Sequence, residues 1–142
     1  MLSEFNLFKN FLLILFCSFV SSCSNWDEGL ATIKRAENLI TSLMSEYNAT
    51  QDHILFHNSI NRSKYITDID VLTDELSFCI KTEIPEMAKA CIGLIHDLGA
   101  IQALLTINVP QSMPSKSQFE RLFFRAINDA NSAIASVKEL NQ

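Results

Sequence analysis

The chain has 142 residues, a formal charge of −5, 48% hydrophobic and 19% charged side chains, and only three Gly, three Pro and four Cys. This composition excludes an intrinsically disordered chain, a collagen-like or linker polypeptide and a disulfide-dense mini-scaffold. The acidic balance lacks the basic footprint of a nucleic-acid binder, and the length allows one domain.

Phe11 to Val20 reads FLLILFCSFV, about ten apolar or small residues in a row. A membrane-spanning helix needs about 20, whereas the apolar region of a secretory signal takes about 7–15. Residues 1–22 are therefore predicted to be a signal peptide that is cleaved off. The run ends in Val20-Ser21-Ser22-Cys23. An aliphatic residue, two small residues and a Cys resemble the lipobox of bacterial lipoproteins, and the resemblance covers residues 1–23. It implies that Cys23 is lipidated and becomes the new N-terminus. The protein would then be held on a membrane, facing the periplasm or the cell exterior. Ser24 after the lipidated Cys goes with outer-membrane sorting in that class. Ordinary cleavage near Ser22 or Cys23 would give a secreted, soluble helical protein of eukaryotic type instead, an inhibitor, ligand carrier or signalling factor.

Cysteine parity bears on both readings. Cys17 leaves with the signal, and an odd Cys in an exported protein demands a use. Lipidation of Cys23 leaves Cys79 and Cys91 to pair; cleavage after Cys23 would do the same. Lys9 and Glu4 leave together, so the charge stays at −5.

Residues 23–142 read as a single helical domain. The first pattern spans about Asp27 to Tyr47, with Trp26, Leu30, Ile33, Ile40, Leu43, Met44 and Tyr47 on one face and Asn25 as N-cap. Gln51 to His57 is short and ambiguous, and Asn58 to Lys64 is polar except for Ile60 and is expected to loop or fray. Tyr65, Ile69, Leu72, Leu76 and Cys79 then repeat at helical spacing, which predicts a helix from about Ser63 to Ile80. Thr82 is placed to cap a third helix that Pro85 opens. Met87, Cys91, Leu94, Leu98, Ile101 and Leu105 form its stripe, and it ends near Ile107. This is the most apolar helix and the expected buried centre. Lys89, His96 and Asp97 disqualify it as a membrane span, since one mid-bilayer charge costs about 2.5–3.5 kcal/mol. Gly93 and Gly99 invite a close helix contact. Asn108 to Ser117 carries Pro110 and Pro114 and reads as a linker (108–117). Ser117 and Glu120 form a capping-box pattern for a fourth helix reaching about Leu140, with Phe119, Phe123, Ala126, Ala130, Ala133 and Val137 on one face. No segment alternates with the period of a strand. The predicted fold is all-α, an up-down four-helix bundle behind a signal peptide.

Few residues suggest chemistry. His53 and His57 share a face if helical, which is half of a metal site. Zinc takes three or four ligands, and only Asp52 and Glu46 stand near in sequence. A solvated or capping pair is expected, with a small metalloenzyme as the remote alternative. His96 and Asp97 are adjacent and would point apart on a helix. Asp68, Asp70, Asp74 and Glu75 resemble a calcium loop superficially, but Thr73 and Cys79 stand where Gly and Glu are required. No phosphate loop, nucleophile elbow, Cys-x-x-Cys pair or zincin signature occurs. No cofactor and no metal site is predicted.

Phe119, Leu122, Phe123 and Phe124 point in successive directions around the fourth helix, and one face can bury three of them. An exposed Phe124 beside Arg121 and Arg125 would make a partner-binding patch, since aromatics and Arg are favoured at hot spots. A helix buried on two sides is the alternative. The expected function is that of a small exported, lipid-anchored accessory protein. It would act by binding a protein partner, which the sequence does not name, and not by catalysis.

Overall fold

A computed structural model describes residues 27–109 and 111–142. The signal peptide (1–22), Cys23 and the Asn25 cap lie outside the described residues. The fold is all-α, with five helices and no strand among the described residues. Helix α1 covers residues 27–50, α2 is His53–Ser59, α3 is Arg62–Ile80, α4 is Pro85–Leu105 and α5 is Lys116–Leu140.

The core grows from the predicted stripes. Met87, Cys91, Leu94, Leu98, Ile101 and Leu105 of α4 are all fully buried. Tyr65, Ile69, Leu72 and Leu76 of α3 meet them on one side, and Phe119, Phe123, Ala126, Ile127, Ala130, Ile134 and Val137 of α5 on the other. Ile33, Ala36, Leu39, Ile40, Leu43 and Tyr47 of α1 complete the same cluster. By length and composition α4 could cross a membrane. Its apolar stripe instead faces protein on two sides, as expected of a core helix.

Polar cross-links fix the register. Arg35 and Thr32 of α1 bind the Glu75 carboxylate of α3, and Tyr65 donates to Glu46 at 2.6 Å, so α1 and α3 run antiparallel. Tyr47 donates to Glu120 at 2.5 Å and Lys138 to Glu37 at 2.6 Å, which sets α1 antiparallel to α5. Gln102 of α4 donates to the Ile66 carbonyl and to Asp70 of α3. The Cys79–Cys91 disulfide, Cα atoms 6.0 Å apart, joins α3 to α4 across their turn. The start of α1, the α3–α4 turn and the end of α5 therefore share one end of the molecule. The end of α1, helix α2 and the starts of α3 and α5 share the other.

Several local expectations are corrected. The ambiguous stretch after α1 is a real helix. Gln51, at φ 49°, turns the chain out of α1, and Asp52 then caps α2 by accepting from Ile54 N and Leu55 N. Phe56, fully buried, supplies its apolar anchor. Helix α3 begins a residue earlier than predicted because Asn61 accepts from Lys64 N. Thr82 does not cap α4; its hydroxyl donates to the Ile84 carbonyl, and Pro85 opens the helix without a side-chain cap. The capping box of α5 is Ser115 with Gln118, not Ser117 with Glu120. Glu120 turns instead to the Tyr47 hydroxyl.

Gly93 and Gly99 make no close helix contact, since a Cβ on either would meet nothing within 4 Å. Without a packing reason for Gly, the backbone entropy term decides. Gly93→Ala and Gly99→Ala should each raise stability by about 0.5–1 kcal/mol in urea denaturation. The bridge closes a short loop between residues 79 and 91. Its reduction should lower stability by about 3 kcal/mol in the same measurement, the loop-entropy value for roughly this length.

Candidate functional site

The predicted patch on α5 is built differently from its sequence pattern. Arg121 and Arg125 are exposed, and Arg125 lies 3.8 Å from Asp129. Phe124 is half-buried, not exposed: its ring meets Tyr47 edge-on at 5.4 Å and Phe123 at 5.7 Å. Helix α5 packs against α1 as well as α4, so two sides of it are covered, and Leu122 (46% exposed) is the side chain left outward. The patch therefore reduces to Leu122 between two arginines.

The two histidines of α2 are buried rather than solvated. His53 and His57 point inward from one face of the helix. His53 Nε2 lies 3.1 Å from the Pro114 carbonyl, and its ring sits 5.8 Å from that of Phe119. His57 Nε2 faces the Arg62 guanidinium at 3.5 Å. A cation there donates to the ring nitrogen, so that nitrogen carries the lone pair. Neither Nδ1 has a hydrogen-bond partner among the described residues. No third metal-binding side chain joins the pair; among the described residues there is no group of three or more His, Cys, Asp and Glu able to hold an ion. The His53 ring instead joins, through Phe119, an aromatic cluster of Tyr47, Phe56, Phe119, Phe123 and Phe124 that closes this end. Burial and the Glu120 carboxylate push the Tyr47 phenol pKa up, and burial with the Glu46 carboxylate does the same for Tyr65.

His96 and Asp97, expected to point apart, approach to 3.5 Å between Nδ1 and Oδ1. His96 lies almost wholly in solvent. Burial, with Asp129 nearby, raises the Asp97 carboxyl above its usual range.

The end of the molecule that carries the start of α1 looks different. Phe78 is 68% exposed, and Ile80 and Ile84 beside it in the α3–α4 turn are also exposed. Phe78 lines a groove of about 460 Å³ whose apolar wall also includes Leu30, Ile33, Leu76, Met87 and Val137. Sequence reasoning singled out none of Phe78, Ile80 and Ile84 as exposed. The available signal was Phe78 itself, a large aromatic off the 65-69-72-76-79 stripe. What the sequence could not supply was which helix ends meet there.

Comparison with protein-family models, curated proteins and solved structures finds no match for this chain.

The buried histidine sets a pH dependence. Burial, then the Arg62 charge, pushes the His57 pKa below 6.5. The unfolded chain therefore binds a proton at His57 that the folded chain refuses, and stability falls as pH drops from about 6.5 towards the depressed value. Glu37 and Glu75, held below 4.5 by Lys138 and by Arg35, add the same sign only further into acid. Asp97, raised above 3.8, opposes them there. Urea midpoints measured between pH 7.5 and 5 should decline in the wild type, and His57→Gln should flatten that decline.

Proposed function

We propose that the chain is a small lipid-anchored helical accessory protein. It is exported behind the residue 1–22 signal and held on a membrane through Cys23, and it acts by binding a protein partner. The single observation that carries this reading is the Val20-Ser21-Ser22-Cys23 motif directly ahead of the helical domain. The Cys79–Cys91 bridge supports it, because such bridges persist in oxidising compartments outside the cytosol. The four long helices fit an up-down bundle, with α2 as a short strap between the first two. Such a bundle is a rigid platform for side chains on its outer faces, and Leu122 with Arg121 and Arg125 is the patch on α5 that fits a protein partner. The chemistry of the exposed side chains offers recognition rather than turnover.

Metabolic labelling with an alkyne fatty-acid analogue tests the anchor. The full chain, expressed in a diderm bacterial host, should incorporate the label and fractionate with membranes. Cys23→Ala should abolish both. An unlabelled mature protein released to the medium overturns the reading in favour of plain secretion.

A further inference from the structure

We propose that the end of the molecule formed by the α3–α4 turn and the start of α1 is a bilayer-contact surface. Phe78, Ile80 and Ile84 would enter the lipid interface, and the molecule would stand end-on upon the membrane. This rests on the anchor reading above and adds to it an orientation and a second point of contact.

Three observations meet at this end. The first is chain length. Cys23 stands four positions before Asp27, the first described residue of α1. Four residues span at most about 14 Å when fully extended. An acyl chain on Cys23 therefore brings the bilayer surface up to the start of α1, and no linker lets the domain float away from it.

The second is exposed apolar side chains. Phe78 and Ile80 in the last turn of α3 and Ile84 just ahead of α4 are all solvent-exposed, at the end shared with the start of α1. Phe78, at 68%, is the most exposed large apolar side chain among the described residues, and Leu140 at the end of α5 is exposed at this same end. Exposed apolar side chains gathered at one end mark an interaction site. Lys81 stands among them, with a long stem that can lie along apolar surface while its ammonium stays in water. The Cys79–Cys91 bridge sits directly behind the turn and holds it in place.

The third is charge. The rim carries Asp27, Glu28, Glu83, Glu86 and Glu139 against Lys81 and Lys138. An acidic rim gains nothing from anionic headgroups. Contact is carried by apolar insertion, to a depth of about 5–10 Å for interfacial elements, and by the anchor. The fitting partner is a zwitterionic bilayer. The opposite end, with α2 and the 111–115 segment, then points into the aqueous space, about 36 Å away along the 24 residues of α1.

Tryptophan quenching tests the orientation. The chain has one Trp, Trp26. In a Trp26→Phe background, Phe78→Trp reports the turn and Leu55→Trp reports α2, where Leu55 is 60% exposed. Both positions lie in solvent, so neither replacement disturbs the core, and circular dichroism checks the fold. The lipidated full-length proteins are reconstituted into phosphatidylcholine vesicles with brominated acyl chains, and intact mass confirms the lipid. The expected result is loss of emission at position 78 and none at position 55. A lipidated protein unquenched at 78 overturns this inference and leaves the anchor standing. Quenching at both positions also overturns it, since the molecule would then lie flat. A protein without lipid overturns the anchor reading and this inference together.

Discussion

Six side chains of α4, from Met87 to Leu105, have no access to solvent and lie along one stripe of a single helix. A stripe this apolar must be covered. At about 1.5–3 kcal/mol for each large apolar side chain, leaving it bare would exceed the whole stability of a small domain. Every other long helix is arranged around that requirement. Helices α3 and α5 flank α4 directly, and α1 lies across them with Ile33, Ile40, Leu43 and Tyr47 inward. The amphipathicity of α5 answers this need: its polar face is unusually rich, and its apolar face holds the small residues Ala126 and Ala130 that let the helices come close.

Burial alone does not choose a register, because apolar contacts are non-directional. The phenols do. Tyr47 and Tyr65 bury most of their rings and keep their hydroxyls on carboxylates of a neighbouring helix. A slip of one turn would strand those hydroxyls in a poorly solvated place, at about 1–3 kcal/mol for each unpaired group. The surface pairs Lys34–Glu37 and Lys64–Asp68 contribute far less, as exposed pairs do.

The long helices were legible in the sequence because each carries a repeated signal. The α3 stripe at 65, 69, 72 and 76 and the α4 stripe at 87, 91, 94, 98, 101 and 105 are all buried as their spacing implies. Single residues carried less. Helix α2 spans only two turns and holds one Phe, too little for periodicity to register. Two Ser residues, 115 and 117, both stand three before a Gln or Glu, and only the position of Tyr47 in space decides which of the two side chains is free to cap. The same is true of Phe124. Helical geometry places it at the border of the buried face, and whether α1 reaches that border is a tertiary fact. The paired cysteines were legible from parity and from their position across one turn. The apolar end was not, because it exists only where the α3–α4 turn meets the start of α1.

Helix α2 has a further consequence. Seven residues are too few to hold a helix by local forces, since isolated helices below about 12–15 residues are marginal in water. Its order is borrowed from what lies beneath it: Phe56 and His53 against the aromatic cluster, His57 buried beside Arg62, and one capping carboxylate. Such an element sits on a low rung of the opening ladder, where local excursions cost far less than global unfolding. Its amides will exchange with solvent long before those of α4. The molecule therefore has a quiet interior joined to one labile corner, where two buried imidazoles meet water whenever the corner lifts.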